Sequence, residues 1–156
     1  MKLYHGSTID IQGIDLAKSK PNKDFGRAFY LSVDEQQALE MAQFKAEFEE
    51  ATPVVNVYEF DETLFQHLRY KCFNNYSIEW AHFVYDHRTE PQGRTLHDFD
   101  IVYGPIANDR VGAQITRFKQ GYITFDEFLK RIQYIKGATF QYAFCTQKAV
   151  DKLIKL

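Results

Sequence analysis

The chain has 156 residues and a mass of 18.3 kDa, enough for one ordinary domain with a core of its own. At 45% hydrophobic and 26% charged residues, with a net charge of −2, it has a soluble globular composition and lacks the basic footprint of a general DNA binder, which still leaves nucleic acid open as a transient substrate. Two cysteines, Cys72 and Cys145, exclude a disulfide scaffold, and no apolar run approaches the ~18 residues of a membrane span. Met1-Lys2-Leu3-Tyr4-His5 has none of a signal peptide's apolar stretch, so a cytoplasmic protein with free thiols and no membrane contact is expected. The 14 Phe and 10 Tyr are enough to fill a core and also to wall a pocket for a flat, π-bearing ligand.

Leu3-Tyr4-His5 reads as a short opening strand ended by Gly6-Ser7. Residues 8–24 look irregular, broken by Gly13, Pro21 and Asn22, and carry a small basic cluster of Lys18, Lys20 and Lys23 that reads first as a solvated loop. Ala28-Phe29-Tyr30-Leu31 is a buried strand, and Ser32-Val33-Asp34-Glu35 has capping-box spacing for a helix running to about Glu50. Pro53 stops it, and Val54 to Phe60 is a strand by its β-branched and aromatic content. Asp61 caps a short helix through Leu68, and a second helix starts after Ser77 with Trp80, Ala81 and Val84. Residues 86–98 read as a surface loop. Phe99 to Tyr103 is a strand stopped by Gly104-Pro105, followed by a helix near Arg110 to Phe118 for which Asn108-Asp109 reads as the N-terminal cap. Thr124-Phe125-Asp126-Glu127 is a second capping box, opening a helix with an apolar stripe of Phe125, Phe128, Leu129 and Ile132 that ends at Gly137. Thr139 to Cys145 is the last strand, followed by a short helix near 147–154. Short strands mixed with helices, without strict alternation, predict an α+β domain.

Several chemistries lack their motifs. There is no G-x-G-x-x-G, no P-loop, no G-x-S-x-G and no C-x-x-C. His82 and His87 are five residues apart, which does not place them on one helical face, so no metal site is expected.

Three segments, in order, resemble the ADP-ribosyltransferase superfamily with its His, Tyr, Glu pattern: Leu3-Tyr4-His5-Gly6-Ser7, Asp24-Phe25-Gly26-Arg27-Ala28-Phe29-Tyr30-Leu31-Ser32, and Gln141-Tyr142-Ala143-Phe144. The string from Asp100 to Asp109 sharpens the likeness to a bacterial and phage branch catalogued as a domain of unknown function. The resemblance covers the chain from Leu3 to Leu153 and implies one domain over residues 1–156, with split antiparallel sheets flanked by helices. It implies NAD as co-substrate and no metal. His5, Tyr30 and Gln141 then take the catalytic positions, and His5, Gly6, Ser7, Phe25, Gly26, Arg27, Tyr30 and Met41 line the NAD site.

In that setting the residues have physical roles. Breaking the bond between nicotinamide and ribose passes through a transition state like an oxocarbenium ion, so the site must fix nicotinamide and the ribose hydroxyls while positive charge develops. By resemblance, Gly6 offers N–H and C=O to the nicotinamide amide, His5 bonds a ribose hydroxyl on the adenosine side, and Ser7 supports the pocket. Tyr30 and Phe25 serve as aromatic walls, and Arg27 faces the pyrophosphate. Two departures stand out. Met41 occupies the place where many relatives carry a second ring, and Gln141 stands where they carry the catalytic Glu. Thr139 stands two residues before it, where arginine-modifying relatives carry Glu, which argues against arginine as acceptor. The expected activity is a mono-ADP-ribosyltransferase, a toxin of a toxin–antitoxin or phage-defence module. Its acceptor is an unidentified protein or nucleic acid, and a small antitoxin would cover a cleft with Asp24 to Arg27 on its rim. The alternatives are a binding module for NAD, ADP-ribose or a partner on the same fold without turnover, and a small interaction protein whose His-Gly-Ser is coincidental.

Overall fold

Two sheets, both with free edges, organise the computed structural model, which describes residues 1–132 and 138–156. The smaller sheet has the order β1 (Lys2–Ser7), β3 (Val54–Glu59), β7 (Ile154–Lys155), all antiparallel. The larger has the order β2 (Phe29–Leu31), β6 (Thr139–Phe144), β5 (Ile101–Ile106), β4 (Tyr70–Cys72), antiparallel except for β4 beside β5. Among the described residues, five α-helices complete it: α1 (Glu35–Glu49), α2 (Ile78–Thr89), α3 (Asp109–Lys119), α4 (Phe125–Ile132) and α5 (Gln147–Val150). The chain is a single α+β domain, as its element pattern predicts.

Strand alternation builds two cores on the two faces of the larger sheet. Phe29, Leu31, Ile101 and Phe144 point towards the smaller sheet and pack with Leu3, Tyr58 and Phe60. Val102 and Ala143 point the other way, into a core with Trp80, Val84, Val111, Ile115 and Phe128 from α2, α3 and α4. Tyr30 packs against this second core. The sheets meet at one seam, where Tyr4 N–H bonds Ser32 C=O at 2.8 Å and Ser32 N–H bonds Tyr4 C=O at 2.9 Å.

Several local expectations are corrected. β1 continues through Gly6-Ser7 because those residues still pair with Val55 and Val54. The cap of α1 is Asp34, whose carboxylate accepts from Gln36 and Gln37, while the Ser32 hydroxyl accepts from Asp34 N–H. β5 runs on through Gly104-Pro105. β4 flanks it only as far as Tyr103, so the missing proline N–H leaves no ladder partner unmet. Residues 86–98 are not simply a surface loop: α2 extends to Thr89, and His87 and Glu90 are buried. β4 and β7 were not expected, and α5 is shorter than the helix expected near 147–154. Asp61, Ser77, Asn108 and Thr124 take the helix-capping places expected of them, each accepting a backbone N–H of the first turn. The expected helix end at Gly137 lies outside the described residues.

Candidate functional site

β1 is an edge strand of its sheet, with β3 on one side only. In an antiparallel strand, both backbone polar groups of a residue point to the same side, and the side alternates along the chain. Tyr4 spends both groups on Ser32, away from β3. Gly6, two residues on, therefore turns its N–H and C=O to the same side, an edge that no strand pairs, although Gly6 itself is buried under α1. Its carbonyl accepts from Lys45 Nζ at 2.7 Å. Burial pulls the Lys45 pKa below its ordinary value, and the Lys23 charge adds to this. α1 lies so close over this strand that a Cβ on Gly6 would stand 2.1 Å from Ala38 O and 2.7 Å from Ala42 N. Only glycine allows that approach.

His5 lies beside this edge. Its ring stacks on Phe29 at 4.3 Å, and Nδ1 lies 2.7 Å from the Tyr30 carbonyl oxygen. A carbonyl only accepts, so Nδ1 carries the proton and Nε2 keeps its lone pair. Burial, the largest cause, lowers the His5 pKa to about 4 against the Tyr30 bond, with Lys45 and Lys23 pushing the same way. At neutral pH the ring is an uncharged acceptor at Nε2.

Tyr30 uses its hydroxyl locally, accepting from Phe25 N–H at 3.0 Å and donating to Gly26 C=O at 2.8 Å. Burial holds its pKa well above the ordinary phenol value, so it stays protonated. Gln141 pairs with Gly104 on β5 and shares the helix-side face of the larger sheet with Ala143 and Tyr30. Continuing the β2–β6 register places it opposite Ser32, at the seam. The structure thus brings the His5 ring against the Tyr30 backbone carbonyl alone, while the Tyr30 and Gln141 side chains share the opposite, helix-side face of the larger sheet. The His5 ring itself stacks from the inter-sheet side.

The remaining expected site residues are placed differently. Phe25 is fully buried among Phe73 and Phe83, so its ring is core and not an open wall. Gly26 holds a left-handed turn at φ +85°, with Thr95 and His87 packed where a Cβ would go. The Arg27 guanidinium bonds the carbonyls of Ala17 and Ser19, pinning the turn at Leu16–Lys18 instead of standing ready for a pyrophosphate. Ser7 is buried, and its hydroxyl accepts from Ile9 N–H at 3.3 Å. Met41 is exposed on α1, one turn from Ala38 and one turn from Lys45. Asp24, expected on an exposed rim, is buried: Arg88 Nε and the Ala107 N–H each donate to its carboxylate at 2.6 Å.

A family described as "Protein of unknown function (DUF3990)" matches residues 1–155. The chain belongs to the DUF3990 family. No curated protein and no solved structure matches it. The motif string from Asp100 to Asp109 acts structurally in this DUF3990 chain. Buried Asp100 accepts from Arg69 N–H and the Thr146 hydroxyl, Pro105 C=O accepts from Trp80 Nε1 at 2.8 Å, and Asn108 caps α3. Lys45 is the seam residue that sequence reasoning missed. Its position in the Ala38, Ala42, Ala46 face of α1, three residues after Ala42, is the available signal. No described helix is long and apolar enough to cross a membrane.

Proposed function

We propose that this chain is an NAD-dependent mono-ADP-ribosyltransferase, acting on a protein or nucleic-acid acceptor in a toxin or phage-defence setting. The observation that carries the reading is the open edge of β1 beside His5. The Gly6 N–H and C=O form a donor–acceptor pair of the kind a primary carboxamide binds, and Lys45 Nζ holds the carbonyl 2.7 Å away. The neutral His5 ring supports the same reading, because its Nε2 is an acceptor for a ribose hydroxyl. Gln141 then bonds the nicotinamide ribose at the seam and orients it. It adds no negative charge, so the acceptor's nucleophile and its positioning provide the rest.

A second reading, a binder of NAD or ADP-ribose without turnover, is favoured by that missing charge together with the Lys45 amine at the Gly6 carbonyl. Incubation with NAD labelled in its adenylate half and a cell lysate, followed by separate protein and nucleic-acid fractions, tests both. Label transferred by wild type and lost with Gln141→Ala supports the transferase. NAD binding by calorimetry without any labelled fraction supports the binder. Absence of both sinks both.

A further inference from the structure

α1 is apolar on two separate faces, about 130° apart around the helix at 3.6 residues per turn. Ala38, Ala42 and Ala46 are buried against β1 and β3, and this narrow alanine face completes the packing of the helix. On the other face Met41, Phe44 and Phe48 follow at intervals of three and four and remain 45%, 59% and 82% exposed. The two phenyl rings touch, with centroids 5.7 Å apart, so the three residues form one stripe. At roughly 200 Å² for each large apolar side chain, the stripe leaves about 370 Å² in water. That lies within the roughly 300–600 Å² range of the largest apolar patch on an ordinary monomer, here concentrated on a single helix face.

The charges around the stripe choose its occupant. Glu40 and Glu47 stand one turn either side of Phe44, and Asp34, Glu35, Glu49 and Glu50 make both ends of the helix acidic. The single base of the helix, Lys45, turns its amine to the Gly6 carbonyl, with Lys23 and Lys20 of the loop before β2 close enough to act on its charge, so the acidic rim is the Glu40–Glu47 side. An anionic membrane or a nucleic acid would meet this rim with like charge. A second copy packed α1 against α1 would set Glu40 and Glu47 against their own equivalents. A helix with apolar residues at the same spacing and lysine or arginine at its flanks would satisfy both stripe and rim.

We propose that the Met41–Phe44–Phe48 face of α1 is a docking surface for a basic amphipathic helix of a partner protein. The proposal stands whether or not the chain turns over NAD. Because Met41 is one turn from Lys45, a helix seated here lies beside the open edge of β1.

The test uses the full chain and a fluorescein-labelled amphipathic peptide of leucine and lysine in helical spacing, with a glutamate-for-lysine peptide as its counterpart. Anisotropy should show saturable binding of the lysine peptide and at least tenfold weaker binding of the glutamate peptide. The double variant Phe44→Ser/Phe48→Ser should lower lysine-peptide affinity by about tenfold or more. Glu40→Lys/Glu47→Lys should reverse the preference between the two peptides. Both variants alter only exposed positions, and an unchanged thermal melt confirms that they fold. Equal binding by wild type and the phenylalanine variant would overturn the proposal, because the attraction would then be charge alone. A wild-type dimer in sedimentation that Phe48→Ser dissociates would overturn it in favour of a second copy, and tighter binding to phosphatidylserine vesicles than to the peptide would overturn it in favour of a membrane.

Discussion

Acid should destabilise this protein through His5. Burial, aided by Lys45 and Lys23, holds its pKa at about 4, against 6.5 for an exposed histidine. Between those values the unfolded chain binds a proton that the folded chain refuses. Stability therefore rises with pH across this window and falls as pH drops from about 6.5 towards 4. At ~1.4 kcal/mol per decade of proton affinity, the loss from this one ring at about pH 4.5 is about 2–3 kcal/mol, or roughly 5–10 °C in Tm for a chain of this size. His87 and His97 add losses of the same sign. Burial lowers both pKa values, and each ring accepts a backbone N–H, from Leu96 and from Phe99, that a protonated ring would lose. His5→Asn isolates the His5 share, since its amide donates to the Tyr30 carbonyl in place of Nδ1 and does not titrate. Urea unfolding of both proteins at about pH 7.5 and about pH 4.5 should show wild type losing about 2–3 kcal/mol more than the variant. Equal losses would mean that His5 is not held neutral by its surroundings, and the derivation of its free Nε2 acceptor would fail with it.

Gly6→Ala should cost ~3 kcal/mol or more, the upper end of overpacking, because its Cβ would meet the backbone of α1 and not a side chain that can turn away. A thermal melt within about 2 °C of wild type would contradict the packing described. Arg88→Met leaves the Asp24 carboxylate buried with the Ala107 N–H alone and should cost ~3–5 kcal/mol, much of it recovered in Asp24→Asn/Arg88→Met. Chemical denaturation of the four proteins in that cycle checks it, and additive losses would show that the pair does not act as one unit. If the proposed transferase reading holds, Gln141→Glu should raise NAD hydrolysis by ~10-fold or more, since a charged hydrogen bond to the ribose would be about twice as strong as a neutral one, and Gln141→Ala should lower transfer. Unchanged rates in both variants, read by nicotinamide release, would remove Gln141 from the site.

The elements readable in the sequence are those with local causes. Ser77, Asn108 and Thr124 announce helix starts because a short polar side chain bonds the first free N–H groups wherever the chain turns helical. β4 and β7 carry no such signal: three and two residues long, they are strands only because β5 and β3 offer them an edge. The candidate site divides the same way. His5 and Tyr30 are paired in advance only through the resemblance of their motifs, and the structure joins the His5 ring to the Tyr30 backbone carbonyl at 2.7 Å. Phe25, Gly26 and Arg27 belong to the same string, yet their side chains or turn are held by residues far along the chain or by the preceding loop: Phe73 and Phe83, Thr95, and the carbonyls of Ala17 and Ser19. A motif places its residues near one another, and long-range packing decides which of them stands at the seam.

Gly6 shows how closely fold and proposed chemistry can share one residue. Its missing side chain is needed by α1, which crosses at backbone contact, so its being glycine is explained without any ligand. Its N–H and C=O, however, are directed by the strand pairing and not by the absent side chain. They face the open edge because Tyr4, two residues earlier, is spent on Ser32. A ligand carboxamide on that edge must share or replace the Lys45 amine at the carbonyl. Burial lowers the Lys45 pKa, so the ammonium is already less stable there than in water, and moving it outward regains solvation that offsets the lost hydrogen bond. A ligand that displaces Lys45 therefore meets a group whose charge disfavours its present place.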